Sequence, residues 1–276
     1  MVKVTDKFAV FGNPILHSKS PFIHGLFAKQ TLQDLDYCII QPAVEEFDTA
    51  IKQFFADGAS GANVTAPFKL DAFNFADQLT IRAKEAGSVN TLMVLENGNI
   101  LGDTTDGQGL VEDLRRQFGA LDGLSVLLLG SGGAARGVVG SLFAAGVSKI
   151  CIANRTSSKA LELADIFSAH GDIYGIGLDA VPHVGIDLII NSTSSSMTDD
   201  LPAIDDKVFR HVQYIYDMAY KDKATSFMQW ALQCNNTLQV SDGLGMLVGQ
   251  AAESFYIWRG VKPNIEPVID ALREQL

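Results

Sequence analysis

Short apolar runs alternate with amphipathic stretches along the whole chain, and this spacing predicts a mixed α/β protein. Phe8-Ala9-Val10-Phe11 reads as a strand closed by Gly12-Asn13-Pro14. Ser20 and Pro21 then open a helix, with Ser20 as N-cap and proline at the first helical position. Phe22, Ile23, Leu26 and Phe27 fall on one face of it. A second strand is expected over 37–40. Val44, Phe47, Ile51, Phe54 and Phe55 follow at helical spacing, and Gly58 supplies the stop. Two apolar runs flank Asn97-Gly98, a hairpin signal that places at least one antiparallel pair in this part.

The rhythm changes near residue 106. Leu110, Val111, Leu114 and Phe118 mark a helix, and Val126-Leu127-Leu128-Leu129 has the unbroken apolar character of a parallel strand buried on both faces. Gly130-Ser131-Gly132-Gly133-Ala134-Ala135 comes next, then a helix through Val139, Leu142 and Phe143. A strand over 150–153, a helix through Leu161, Ala164 and Phe167, and strands over 187–190 and 214–217 complete the series. Such alternation predicts a doubly wound parallel sheet, and the small polar loop 192–196, after an apolar strand, is expected to face a ligand. From about 243 the chain is helical again, with Pro263 and Pro267 near a helix start, and this tail must pack on something earlier. The expected division is 1–105 with 241–276 returning to it, and 106–240 as a nucleotide domain.

Composition narrows the classes. With 47% hydrophobic and 19% charged residues, the 276-residue chain is globular and long enough for one or two domains with their own cores. Its 21 basic against 32 acidic side chains, a formal charge of −11, repel phosphate backbones and argue against nucleic acid as a partner. Three scattered cysteines, Cys38, Cys151 and Cys234, form neither a disulfide framework nor a zinc site. No His/Cys/Asp cluster has metal-ligand spacing, so no metal is expected. Met1 to Lys7 holds no signal-peptide stretch, and no apolar run reaches the ~18 residues that span a bilayer. A soluble, cytoplasmic protein is expected.

Gly130-x-Gly132-x-x-Ala135, between a buried strand and a helix, has the context of a dinucleotide-binding turn. Gly130 permits the tight turn, Gly132 lets the backbone approach a pyrophosphate, and Ala135 keeps the helix close to the sheet. About 20 residues on, NAD enzymes usually present a carboxylate to the ribose 2′-hydroxyl. Here the strand ends Asn154-Arg155-Thr156, with Lys159 beyond, and a guanidinium suits a 2′-phosphate. NADP is the expected cofactor.

Three further segments carry polar residues among turn residues: Gly12-Asn13-Pro14-Ile15-Leu16-His17-Ser18-Lys19-Ser20-Pro21, Gly61-Ala62-Asn63-Val64-Thr65-Ala66-Pro67-Phe68-Lys69 and Gly102-Asp103-Thr104-Thr105-Asp106-Gly107. With Ser88-Val89-Asn90-Thr91, the glycine-rich turn, Asn154-Arg155-Thr156, Asp242-Gly243-Leu244-Gly245-Met246 and Gln250-Ala251-Ala252, the chain closely resembles the shikimate dehydrogenase family over essentially its full length. The resemblance implies a Rossmann-type nucleotide domain, an α/β substrate domain completed by C-terminal helices, and NADP-dependent reversible reduction of 3-dehydroshikimate to shikimate in aromatic amino-acid (chorismate) biosynthesis. The family's lysine and aspartate map onto Lys69 and Asp106, an acid–base pair of the kind that hydride transfer to a carbonyl requires.

By the same carry-over Ser18 and Ser20 bind the substrate carboxylate, while Asn63, Thr65, Asn90 and Gln250 bind ring hydroxyls. Tyr220 lies near the substrate. The implied cofactor contacts are Gly130, Gly132, Gly133, Ala134, Asn154, Arg155, Thr156, Lys159, Thr193, Met218, Gly243 and Met246. His17 and His24 are expected in turn and packing roles. Four positions depart from the family's pattern: Ser131 replaces a common alanine, Thr104 a frequent asparagine, Ser196 a frequent glycine and Ser226 a frequent proline. Two rivals stay open, a quinate/shikimate dehydrogenase of looser specificity and a nucleotide-binding regulator without turnover. The resemblance leaves open a monomer or a homodimer.

Overall fold

The computed structural model describes residues 5–193, 195 and 200–276, so Ser196 and part of its loop lie outside the described residues. In chain order the elements are β1 (Asp6–Phe11), α1 (Ser20–Thr31), β2 (Leu35–Ile40), α2 (Phe47–Ala56), β3 (Gly61–Val64), α3 (Lys69–Phe75), β4 (Gln78–Leu79), α4 (Ile81–Ala86), β5 (Thr91–Val94), β6 (Ile100–Asp103) and α5 (Asp106–Phe118). They continue with β7 (Ser125–Leu129), α6 (Gly133–Arg136), α7 (Val139–Ala144), β8 (Lys149–Asn154), α8 (Ser157–Ile166), β9 (Asp172–Gly177), β10 (Leu188–Asn191), β11 (Tyr214–Asp217), α9 (Ser226–Cys234), β12 (Gln239–Asp242), α10 (Leu244–Arg259) and α11 (Glu266–Arg273). Two compact units result. One is Met1–Gly109 with Val248–Ala271, the other Leu110–Leu247 with Leu272–Leu276.

In the first unit six strands run in the order β2-β1-β3-β5-β6-β4. β1 pairs in parallel with β2 and β3, while β5 lies antiparallel to both β3 and β6. The carboxyl ends of β3 and β6 therefore meet the start of β5 at one edge of the sheet. One face packs Ala9, Phe11, Ala62, Val64 and Leu92 on Phe47, Ile51 and Phe68. Phe8 instead stacks on Trp258 of α10, whose indole N–H donates to the Leu92 carbonyl at 2.9 Å.

The second unit carries a fully parallel sheet in the order β12-β11-β10-β7-β8-β9, a doubly wound, Rossmann-type arrangement. Its central strand shows why an unbroken apolar run was needed: Val126 and Leu128 enter one core cluster, Leu127 and Leu129 the opposite one.

Several expectations shift. The N-cap of α1 is Lys19, not Ser20, and the Ser20 N–H is satisfied by the Ser18 hydroxyl at 3.2 Å. The buried face of α1 is Ile23, His24, Phe27 and Ala28, with Phe22 and Leu26 at its margin. In α8 the buried stripe is Ala160, Leu163 and Ala164, leaving Leu161 exposed. The helix after the glycine-rich turn forms as two short pieces, α6 and α7. The handover between units falls after Gly109 rather than 105, and the returning segment begins at Val248 rather than 241. The reason for the second shift is β12, which pairs with β11 and draws 239–242 into the parallel sheet. Residues 272–276 likewise join the second unit, where Arg273 grips the Asp242 carboxylate with two bonds of 2.7 and 2.8 Å.

His24 is packed in the core of the first unit, stacked on Tyr37 with ring centroids 4.4 Å apart. Burial pushes its imidazole down from 6.5 to about 3, outweighing the Asn63 hydrogen bond that acts the other way. In the unfolded chain the ring takes up a proton near its ordinary value. Its contribution to stability is therefore complete above 6.5 and is lost as pH falls toward 3. One proton gives a slope of about 1.4 kcal/mol per pH unit in that window. His24→Leu is expected to flatten the pH dependence of urea unfolding across it relative to the parent; superimposable slopes would contradict a neutral buried ring.

Candidate active site

In the first unit the polar segments converge because the strands bring their ends together. The Val64 N–H donates to the Asn90 carbonyl at 2.8 Å, Asn90 N–H to the Asp103 carbonyl at 3.0 Å, and Val89 N–H to the Lys69 carbonyl at 3.0 Å. The loops after β3 and β6 are thus tied on either side of Asn90. Lys69 opens α3, Asp106 opens α5, and their side chains meet with Nζ 2.5 Å from Oδ2. Both groups are only partly exposed, at 25% and 11% of their side chains. This is a charge-assisted hydrogen bond in a semi-enclosed setting.

Asn90 is buried, and its amide nitrogen donates to Asp106 Oδ1 and Thr105 Oγ1, each at 2.9 Å, with Gln250 Oε1 further off at 3.4 Å. Its Oδ1 accepts from the Thr105 N–H at 2.9 Å and the Thr91 hydroxyl at 2.8 Å. Asn63 lies behind this group. Its Oδ1 faces Tyr37 Oη at 2.8 Å and His24 Nε2 at 3.2 Å, and its Nδ2 faces Ser254 Oγ at 2.9 Å. Ser254 is one turn beyond Gln250 on α10, and its hydroxyl bonds the Gln250 carbonyl. The structure therefore gathers Lys69, Asp106, Asn63, Asn90 and Gln250 into one network. Ser254, Tyr37, His24 and Thr105 were not anticipated as members. The spacing Gln250, Ser254, Trp258 along one helical face was the available signal.

Ser18 and Ser20 pair through their hydroxyls at 3.2 Å, and Ser20 also bonds Tyr37. Thr65 is half-buried, with its N–H on the Phe11 carbonyl at 2.8 Å. His17 is exposed in the turn before α1. Asp103 is gripped by Arg82 with two bonds of 2.7 Å, and Arg82 also reaches Glu253 at 3.2 Å. Thr104, next to this clamp, buries a hydroxyl with no partner.

In the second unit the expected cofactor residues follow the carboxyl ends of parallel strands. Gly130 leaves β7 with φ +102°, and a Cβ there would stand 2.7 Å from Ser192 Oγ after β10. β7 and β10 are neighbours at the point where strand order reverses, the usual ligand crevice of such sheets. Gly132, Gly133 and Ala134 are exposed, and a Cβ on either glycine would meet nothing within 4 Å. Ser131, in the same turn, is half-buried. Thr193 N–H and hydroxyl both bond Asn191 Oδ1, at 3.1 and 2.7 Å. Beyond β8, Asn154 Nδ2 donates to the Thr156 carbonyl at 3.0 Å, while Arg155, Thr156 and Lys159 are exposed. Among the described residues no carboxylate pairs with Arg155 or Lys159.

Met218 follows β11, and a Cβ on Gly243 would stand 2.0 Å from its carbonyl oxygen, so only glycine fits after β12. Met218 and Met246 pack against the apolar core of this unit. Tyr220 belongs to this unit as well; burial, then the Asp242 charge, raise its hydroxyl above the ordinary range. Ser226 takes the first position of α9 behind Thr225, whose hydroxyl caps the helix. Among the described residues no helix is long and apolar enough to cross a membrane, and no group of acidic, histidine or cysteine side chains is placed to hold a metal ion.

The glycine-rich turn, with open space at both glycines and cations beyond the next strand, fits a phosphorylated dinucleotide. Family models match three stretches: the shikimate dehydrogenase substrate binding domain at 10–92, shikimate / quinate 5-dehydrogenase at 112–199 and the shikimate 5'-dehydrogenase C-terminal domain at 243–273. The chain is 56% identical over 271 residues to "Shikimate dehydrogenase (NADP(+))" of Pseudoalteromonas atlantica, covering 98% of this chain and 100% of that one. Among solved structures it is similar to the Ael1 enzyme from Pseudomonas putida, with TM-score 0.91, 40% identity, and 97% and 98% of the two chains covered. It is also similar to shikimate 5-dehydrogenase from Thermus thermophilus in complex with NADP(H) and shikimate, with TM-score 0.86, 29% identity, and 99% and 100% covered. With its identity to the curated relative running almost end to end, the chain belongs to the shikimate dehydrogenase family.

Proposed function

We propose that this chain is an NADP-dependent oxidoreductase that reversibly reduces 3-dehydroshikimate to shikimate in aromatic amino-acid biosynthesis, with Lys69 and Asp106 as its acid–base pair. The observation that carries the reading is the 2.5 Å contact between Lys69 Nζ and Asp106 Oδ2, held from behind by Asn90. NADPH, when bound, supplies the hydride, and the protein must supply a proton to the carbonyl oxygen. Protonated Lys69 is the donor in reduction and the acceptor in alcohol oxidation. Asp106 holds the ammonium in place and accepts a hydrogen bond from a substrate hydroxyl.

Asn90, Gln250 and Thr65 orient the ring hydroxyls. The 3.4 Å contact between Asn90 and Gln250 is the weakest around that amide and the one a hydroxyl can take over. Ser18 and Ser20 donate to the carboxylate. Gly130, Gly132, Gly133, Ala134, Thr193, Met218, Gly243 and Met246 shape the cofactor's bed. Asn154, Arg155, Thr156 and Lys159 receive the adenosine end, the guanidinium reading the 2′-phosphate. The substrate is a small molecule. The acidic charge makes nucleic acid an unsuitable partner, and the family resemblance supports a cytoplasmic enzyme, monomeric or homodimeric.

Initial rates with shikimate and quinate, each against NADP and NAD, test the reading. Shikimate with NADP is expected to be fastest, and quinate lower in kcat/KM by about 100-fold, the scale on which a crowded extra hydroxyl is rejected. Equal rates on both acids would favour the dual-specificity enzyme, and no turnover a regulator.

Lys69→Ala is expected to lower kcat by about 10²–10⁴, the usual worth of a positioned acid–base group, with cofactor affinity unchanged. Retention of most of the parental kcat would remove Lys69 from the chemistry. Asp106→Asn is also expected to be slow, and the double variant less than additive because the two act as a unit.

Arg155→Ala is expected to weaken NADP binding by about tenfold to hundredfold, the scale of a charge-assisted hydrogen bond, while leaving NAD binding nearly unaltered. Titration of both cofactors by fluorescence measures this. Equal losses would assign Arg155 to the fold.

A further inference from the structure

We propose that Asn63 is a positioning residue for the Lys69–Asp106 pair, held in one orientation by His24 and Tyr37, and that it does not bind substrate. The inference rests on the activity proposed above.

A side-chain amide offers two acceptor lone pairs and two N–H donors. On Asn63 all are engaged inside the protein. Oδ1 receives the Tyr37 hydroxyl at 2.8 Å and His24 Nε2 at 3.2 Å. Nδ2 faces Ser254 Oγ at 2.9 Å, the Asn90 carbonyl at 3.2 Å and Thr91 Oγ1 at 3.3 Å. The residue is 6% exposed, so a substrate hydroxyl would have to break an interior bond to reach it. Turning the amide over would set its oxygen against the Asn90 carbonyl, which can only accept, so the amide nitrogen faces Asn90 and the oxygen faces His24 and Tyr37.

The two donors are themselves fixed. Burial keeps the His24 ring neutral at neutral pH, so it carries one proton. That proton lies on Nε2, because the facing amide oxygen can only accept, and Nδ1 is left buried without a partner. Leucine at this position would leave no such orphan. What histidine adds over leucine is a ring stacked on Tyr37 and an N–H directed at Asn63. Tyr37 stacks on the same ring at 9° between planes, and burial holds its hydroxyl protonated.

The other side of the amide leads to the reacting pair. Thr91 donates to Asn90 Oδ1 at 2.8 Å, Asn90 Nδ2 donates to Asp106 Oδ1 at 2.9 Å, and Asp106 Oδ2 holds Lys69. An untethered Asn63 loosens the Asn90 backbone and the Thr91 hydroxyl, and with them the direction of the Asp106 carboxylate. Misplacement of an acid–base group is felt in kcat, whereas loss of a substrate contact made equally in ground and transition states is felt in KM.

Steady-state kinetics of His24→Leu and His24→Gln, with shikimate varied at saturating NADP, separate the two. His24 hydrogen-bonds Asn63 and stacks on Tyr37, so both variants lose the stack and only glutamine keeps an N–H for the amide. His24→Leu is expected to lower kcat by about tenfold or more while KM for shikimate stays within about twofold. His24→Gln, which restores an N–H, is expected to recover part of the loss. In an Asn63→Ala background His24→Leu is expected to cost nothing further. If Asn63→Ala does not fold, the leucine and glutamine comparison decides alone. Unchanged kcat in His24→Leu, a loss confined to KM, or glutamine no better than leucine would each overturn the proposal. An inactive parent on shikimate would instead overturn the assigned activity.

Discussion

The first unit is organised around the buried amide of Asn90. Because β5 runs antiparallel between β3 and β6, the residue that precedes it is adjacent to the carboxyl ends of both neighbours. Its main chain bonds Val64 on one side and Asp103 on the other. Its side chain meets the Thr105 N–H and the Asp106 carboxylate. Lys69 and Asp106 sit 37 residues apart in sequence, and this amide is the shared reference that lets their charges meet at 2.5 Å. The Arg82–Asp103–Glu253 clamp fixes the strand that delivers Asp106, so the carboxylate is steadied from both ends of its loop.

The second unit works by a different physical means. Main-chain geometry dominates there: a left-handed glycine after β7, another glycine packed on a carbonyl after β12, and the exposed Gly132 and Gly133 where α6 begins. Parallel strands all end on the same side, so these turns are collected at one edge without a network of buried side chains.

That contrast explains what could be read in advance. Gly130, Gly132 and Arg155 act locally, within a strand, a turn and the residues after it, and such units leave a contiguous mark in the chain. Lys69 and Asp106 were singled out through the family resemblance, which the dense runs of turn and polar residues around them carried. Asn63 was legible as important, but its partners Tyr37 and Ser254, 26 and 191 residues away, were not. The register of β3 on β5 and the docking of α10 decide those bonds, and no local pattern encodes either. β12 escaped notice because Gln239-Val240-Ser241-Asp242 is too polar and short for a buried strand, although edge position in the sheet tolerates it. The phase of α8 was misjudged for a related reason: its buried stripe includes two alanines, which mark a helix face only faintly.

The exposure of Arg155 and Lys159 has a consequence for how such a protein can change over evolutionary time. Neither side chain supports a core contact or an ion pair among the described residues, so substitutions there leave the strand and helix that carry them intact. With Arg155 and Lys159 assigned to the cofactor as proposed, its preference is a trait written on the surface, open to drift one residue at a time. The Lys69–Asp106 contact is instead tied into an interlocked interior where each amide has several dependants, and a single replacement there disturbs many bonds at once. Under that assignment the residues that read the cofactor can be replaced without disturbing the fold, whereas those that hold Lys69 and Asp106 cannot.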